Sequence, residues 1–342
     1  MAPSAYLAST SSSAALVEEI LPAPLKTTPA PFLDEAKAHW SAGHCCPPPE
    51  GDAACRQKSW DTPRMTSIAK CLLDDAENDE ERARLLAVST SESGAWLRAF
   101  PVSALGLRMD DNSVRIAVGL RLGTPVCGAH QCQHCSAMVS NLGRHALSCR
   151  RSEGRHQRHA ALNDIVKRAL SAAHIPSRLE PTGLVRTDGK RPDGVSLAPW
   201  KSGRLLVWDA TCPDTFAPSY RAHATVEPGR VAAIAEDRKD EKYRDLPSTH
   251  WFCPIAIETM GAMGPRSLAL LKEVGRRIMS ETGEAKSTEY LLQRLSVAVQ
   301  RGNCASVLGG MQKTKKQKNK KTKKQSCLLI ILHAMGTYED KP

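Results

Sequence analysis

Two aspartates and two lysines in one stretch of chain are the residues best suited to chemistry. Asp193 closes the tetrapeptide Lys190-Arg191-Pro192-Asp193, Asp209 ends the apolar run Leu205-Leu206-Val207-Trp208, and Lys239 and Lys242 lie in the charged segment AEDRKDEKY. Proline at 192 fixes its own φ and favours an extended residue before it, so Asp193 is expected on a strand or turn edge. Alternation along LLVWD puts the Asp209 carboxylate on one face of a strand. If the two strands pair as a hairpin around PWKSGR, both carboxylates can converge on a divalent cation, and oxygen ligands favour Mg²⁺ or Mn²⁺. Such an ion polarises a scissile phosphate and lowers the pKa of an attacking water. Lys242, or failing it Lys239, would orient that water or stabilise the pentavalent oxyanion. Glu180 is a candidate third carboxylate. Plainer readings compete with each of these. Asp-Gly is a common turn, and AEDRKDEKY could be a salt-laced exposed helix. Asp209 is the hardest to dismiss, because a carboxylate closing four apolar residues needs a partner or a solvent-facing edge.

A second constellation precedes the first. Cys132-x2-Cys135-x9-His145-x3-Cys149 supplies three thiolates and one imidazole at spacings that close around a single tetrahedral Zn²⁺. Four good ligands leave no open position for water, so the expected zinc is structural, folding a segment too short and polar to bury a core alone. Cys127, His130 and His134 are spare ligand candidates. Arg144, Arg150, Arg151, Arg155, His156, Arg158 and His159 crowd around this knuckle, either as a solvated basic surface or as a patch that positions a phosphate backbone.

The elements that must carry these groups follow from pattern. Residues 1–30, rich in Ala, Ser and Pro, are expected to be disordered. Residues 31–125 read as a mainly helical linker region with no catalytic constellation, 126–152 as the zinc knuckle, and 155–305 as a compact α/β domain. Within that domain, HQRHAALNDIVKRALSAAHI is an amphipathic helix with Leu162, Ile165, Val166, Ala169 and Leu170 on its apolar face. Strands are expected around Leu184–Val185, at Val195–Leu197 and at Leu205–Trp208. Val231–Tyr243 reads as helix and FCPIAIETM as a buried strand. Residues 266–280 form a helix with Pro265 at its first position and Gly283 past its end, and a last helix carries Leu291, Leu295 and Val299 on one face.

The chain has 342 residues and a net charge of +11, but eight lysines fall between Lys313 and Lys324, leaving about +3 for the rest. That low-complexity tail, 311–342, reads as a nucleic-acid contact or a nuclear localisation signal. No secretory leader is legible, and LLIIL at 328–332 is far short of a membrane span. A reducing compartment, the nucleus or alternatively the cytoplasm, is therefore expected, with the clustered cysteines as metal ligands.

From Cys127 to the stretch 304–309 the chain resembles the C-terminal part of the polyproteins of non-LTR retrotransposons with restriction-like endonucleases. The resemblance lies in the order of motifs. A CCHC knuckle (Cys132, Cys135, His145, Cys149) is followed by an R-H-N-like helix (Arg158, His159, Asn163), K/R-P-D ending in Asp193, a further acid at Asp209, and a lysine beside a tyrosine at Lys242–Tyr243. It implies a nuclease of the PD-(D/E)xK class with structural zinc and catalytic Mg²⁺ or Mn²⁺, acting on DNA, with RNA as the alternative. Two departures stand out. Thr211 occupies the place of the motif's lysine, which the family resemblance moves onto the following helix, and the spacing from Asp193 to Asp209 is slightly long. Residues 1–125 lack the length and paired-aspartate pattern of a polymerase, so the expectation is a strand-nicking endonuclease of retroelement origin. The alternatives are a zinc-containing nucleic-acid-binding protein whose nuclease fold is inactive, and a non-functional remnant.

Overall fold

The computed structural model describes residues 31–43, 47–184, 189 and 191–311, with isolated positions between 12 and 20. The expected disordered segment, the basic tail and Val185 fall wholly or largely outside these residues. The chain divides into two compact units, Met1–Ala76 and Glu77–Pro342.

In the first unit, α1 (Pro31–Gly43) and α2 (Gln57–Asp74) meet through two buried indoles. Trp40 and Trp60 pack edge to face at 5.8 Å, and the Trp60 indole N–H donates to the Ala54 carbonyl at 2.7 Å. Trp60 is the one buried residue of α2.

The second unit is mixed α/β. Its elements are α3 (Asp79–Ser89), α4 (Asp111–Leu122), β1 (His130–Gln131), β2 (Met138–Val139), α5 (His145–Ser148), α6 (Glu153–Ala172), β3 (Ser177–Leu179), β4 (Gly194–Lys201), β5 (Arg204–Thr211), α7 (Arg221–Ala224), α8 (Arg230–Lys242), β6 (His250–Ala256), α9 (Pro265–Thr282) and α10 (Ser287–Gly310). β3, β4 and β5 form an antiparallel meander, and β6 joins it parallel to β5 after the α8 crossover. The hairpin at PWKSGR forms as expected: Lys201 pairs with Arg204 across Ser202 and Gly203, whose φ of 49° and 73° suit a two-residue loop of the primed type. Leu184, expected in a strand, sits instead in a short 3₁₀ turn, Thr182–Leu184.

The Asp-Gly at 193–194 is not turn chemistry. Gly194 opens β4, and a Cβ there would lie 2.1 Å from the buried Trp208 ring on β5, so only glycine lets the two strands and that indole coexist. Glycine serves a second close approach at Gly302, where a Cβ would meet the Arg158 stem at 1.8 Å.

Helix ends follow their local chemistry. Asp110 caps α4 by accepting from the N–H groups of Asn112 and Ser113, and Asn78 caps α3 through the Glu81 N–H. Pro265 opens α9 and Gly283 closes it in the left-handed region, as the pattern required. The start of α9 also has a partner from α8: the buried Glu236 carboxylate accepts from the N–H groups of Arg266 and Ser267 at 3.2 and 2.7 Å. An anion there satisfies orphan donors and meets the positive end of the helix dipole. It also ties the lysine-bearing helix to the sheet's flanking layer.

Two apolar cores share α10. One, between the sheet and α6, α9 and α10, contains Leu162, Leu170, Leu206, Trp208, Ile255 and Leu295. The other joins Trp96, Ile116, Leu120, Leu147, Met260 and Val307. Residues 77–125 are therefore not a linker: α3, the 3₁₀ segment Glu92–Arg98 and α4 supply Ala87, Trp96, Ile116, Ala117 and Leu120 to the second core. The knuckle is likewise no separate bead, since Val126, Ala146 and Leu147 are buried in that core. Sequence periodicity revealed only the α10 face bearing Leu291, Leu295 and Val299. The opposite face, with Val297, Cys304 and Val307, is masked by the buried polar residues between them.

A polar seam runs between the cores. Thr215 and the Ala232 N–H donate to the two oxygens of Glu258 at 2.9 and 3.1 Å, Thr259 donates to Asp214 at 2.9 Å, and Asn303 donates to the Thr259 carbonyl at 2.7 Å. Burial pushes the Glu258 carboxyl up to about 7. A raised folded-state pKa contributes stability that is complete below the unfolded value, declines as pH rises, and is lost above the folded value. Glu258→Gln preserves the shape of the site and removes that titration. Urea unfolding should show the variant gaining on wild type by up to about 3 kcal/mol between roughly pH 5 and pH 8. A pH-independent difference would show that Glu258 does not titrate in this interval.

Candidate metal and catalytic site

The knuckle ligands come from three short pieces. The β1–β2 hairpin carries Cys132 and Cys135, α5 begins with His145, and Cys149 follows its end. The four ligand atoms lie within 4.8 Å of one another. Cys132 Sγ is 3.9 Å and Cys135 Sγ 3.8 Å from Cys149 Sγ, and Cys135 Sγ is 3.1 Å from His145 Nε2. The sulfur pairs are far too long for a disulfide. They match the edge of about 3.8 Å set by a tetrahedron with metal–sulfur bonds near 2.3 Å. The Ala137 N–H holds the Cys135 thiol below its ordinary value, while burial holds Cys149 above its own. This Cys₃His cluster can therefore hold a metal ion such as zinc. Two spare candidates are engaged elsewhere: Cys127 points at the carbonyls of Ser140 and Asn141, and His130 Nδ1 lies 2.8 Å from the Gly128 carbonyl.

The acidic centre forms at the open end of the β4–β5 pair. Gly194 pairs with Trp208, which brings Asp193 to the level of Asp209 and Ala210 on the neighbouring strand. Asp193 Oδ2 accepts from the Ala210 N–H at 2.6 Å and lies 2.9 Å from His159 Nε2. Asp209 is 3 % exposed, and its Oδ2 accepts from Lys239 Nζ at 2.7 Å and Lys242 Nζ at 3.3 Å. Both lysines use the same oxygen. They stand one helical step apart on α8, so the AEDRKDEKY helix turns both ammonium groups onto the strand.

Electrostatics make the two acids unequal. Burial drives Asp193 up, but the His159 hydrogen bond and charge and the Ala210 N–H outweigh it and leave the carboxyl below its ordinary value. Burial holds Asp209 above its ordinary value against the pull of Lys239, and the neighbouring Asp193 charge pushes the same way. The hydrogen bond that His159 donates to Asp193 raises the imidazole above its ordinary value.

His159, Asp193 and Asp209 each bring a ligand atom within the same 4.8 Å. Glu180 does not join them: its carboxylate pairs with Arg191, and its side chain is 68 % exposed. His159 is the member that residue-type reasoning passed over, treating it as part of a basic patch. Its signal was spacing. His159 and Asn163 are four residues apart at the border of the apolar stripe, where a polar pair must face a partner. Asn163 accepts the Trp208 indole N–H at 3.0 Å and lies 3.5 Å from His159 Nε2.

Lys242 is held from its other side by Tyr243. Its ammonium donates to the Tyr243 hydroxyl at 2.7 Å, and that hydroxyl donates to the Arg191 carbonyl at 3.0 Å. The buried Tyr243 ring packs on Phe252 of β6 at 4.7 Å. The Lys-Tyr pair thus ties α8 to the segment that presents Asp193.

The basic patch is smaller than its composition suggested. Arg158 is 1 % exposed and donates to Asn303, Ser306 and the Leu147 carbonyl. Arg144 pairs with Glu80 and stacks on Phe216. Arg150, Arg151, Arg155 and His156 remain exposed. No helix among the described residues is long and apolar enough to cross a membrane. Compared with known proteins, the chain matches no protein family and no curated sequence.

Proposed function

We propose that the second unit is a divalent-metal-dependent DNA endonuclease of retroelement origin, with a restriction-like PD-(D/E)xK centre that nicks by hydrolysis to a 5′-phosphate and a 3′-hydroxyl. The observation that carries this reading is the convergence of Asp193, Asp209, Lys239 and Lys242 from three elements onto one open end of the sheet. Two adjacent acids of like charge, one of them buried, favour a divalent cation between them. Bound there, Mg²⁺ or Mn²⁺ would polarise the scissile phosphate and acidify the attacking water. In this reading the Ala210 N–H holds Asp193 in place, Lys239 serves as the close counter-ion of Asp209, and Lys242, steadied by Tyr243, stabilises charge on the phosphoryl oxygens. The structural zinc fixes the knuckle, whose exposed Arg150 and Arg151, with Arg155 on α6, would contact the DNA backbone. A nuclear site of action belongs to the same reading.

A second reading, a nucleic-acid-binding protein without turnover, is favoured by one observation: two lysines already satisfy Asp209 without a metal ion. Supercoiled plasmid separates the two. The zinc-loaded full chain should nick it with Mg²⁺ or Mn²⁺ and not when both ions are omitted. Binding that weakens with salt and needs no divalent ion, without nicking, would leave the binding protein.

A further inference from the structure

The acidic centre is more than a pair of carboxylates. We propose that His159 is a direct metal ligand, so that His159, Asp193 and Asp209 form a one-imidazole, two-carboxylate site that takes Mn²⁺ in preference to Mg²⁺. This rests on the reading above that Asp193 and Asp209 hold a divalent cation.

The geometry carries it. His159 Nε2 and Asp193 Oδ2 are 2.9 Å apart. Two atoms bound at about 2.1 Å to one ion and at right angles to each other are separated by about 3.0 Å, so this edge fits neighbouring positions of an octahedral site. In the knuckle the imidazole His145 Nε2 stands at a similar 3.1 Å from the Cys135 sulfur beside it. The His159 side chain is 45 % exposed while that of Asp209 is 5 % exposed, so the imidazole lies at the mouth through which an ion would enter. It is also pre-aimed. α6 is buried through Leu162 and Val166, and Asn163, fixed by the Trp208 indole, lies beside the ring. Imidazole suits later first-row metals, whereas Mg²⁺ prefers oxygen and retained water, so adding one nitrogen to two carboxylates biases the site away from Mg²⁺. The competing role for His159 is a charged partner of Asp193, in which case it opposes a cation rather than binding it.

Pulsed electron paramagnetic resonance of Mn²⁺ on the full-length, zinc-loaded chain distinguishes these roles. The expected result is a directly coordinated ¹⁴N coupling in wild type that is absent in His159→Gln. The variant should bind Mn²⁺ at least about tenfold more weakly and lose its preference over Mg²⁺. Mn²⁺ bound through Asp193 and Asp209 without a nitrogen coupling, or bound as tightly by His159→Gln, overturns the ligand role and leaves the carboxylate site standing. No Mn²⁺ binding in wild type, or binding that survives both Asp193→Asn and Asp209→Asn, overturns the ligand role together with the site beneath it. The wild-type coupling is read without any variant, so the result does not depend on how His159→Gln folds.

Discussion

Asp209→Asn is expected to lower metal-dependent nicking by about 10³-fold or more while plasmid binding stays within a few-fold of wild type, and Asp193→Asn should do the same. The magnitude follows from the role: a neutral amide holds a divalent ion far more weakly than a carboxylate, and the ion supplies both the polarised phosphate and the acidified water. A purely structural Asp209 would behave differently. It is the shared counter-ion of Lys239 and Lys242, and stripping the anion from a largely buried ion pair typically costs about 3–5 kcal/mol. If that were its whole purpose, Asp209→Asn/Lys239→Met would recover stability and nicking together. We expect it to recover stability alone. The lysines should also separate. Lys239 makes the shorter bond to Asp209, whereas Lys242 sits farther away and is held to one side by the Tyr243 hydroxyl. Lys242→Met should therefore cost about 10²–10³-fold in rate, as losing a group aimed at developing charge does, and Lys239→Met less. Equal rates in Asp209→Asn and wild type, at equal metal occupancy, would exclude a hydrolytic centre here.

Much of this centre was readable from local pattern. An acid after Arg-Pro, an acid closing an apolar strand, and lysines on the next helix are one-dimensional signals, and the two-residue hairpin turn sets which strands must pair. What escaped was anything decided by a third element. Arg158 reads as a surface cation, yet Gly302 lets α10 approach so closely that its guanidinium is buried among Asn303, Ser306 and the Leu147 carbonyl. Glu180 has the right charge and neighbourhood for a third carboxylate, but Arg191 claims it. His159 was visible as a residue and not as a role, because only the β4–β5 register brings Asp193 to it. The helices of 77–125 were legible as helices. Their burial against α10 was not, since an amphipathic period says that a face is covered and not by what.

Arg158 also connects the two metal-ready sites, and that connection sets the largest expected effect on stability. Chelating the knuckle metal from the folded chain, or Cys149→Ser, should lower the melting temperature by at least about 10 °C, since each kcal/mol moves a unit of this size by about 2–4 °C and structural zinc contributes several. The loss should not stay local. Cys149 directly follows α5, whose Leu147 is buried in the second core and whose Leu147 carbonyl accepts from Arg158. Arg158 precedes His159 on α6. Freeing Cys149 therefore releases the carbonyl that anchors the first turns of the helix presenting His159 to Asp193. Hydrogen exchange should accordingly rise at residues 126–152 and along the first half of α6, while β5 and β6, packed against α9 and α10, keep their protection. Nicking should fall with the zinc even in saturating Mn²⁺. A knuckle that lost its metal with no change in α6 exchange would show that Arg158 is held by Asn303 and Ser306 alone, and that the knuckle serves DNA contact without supporting the acidic centre.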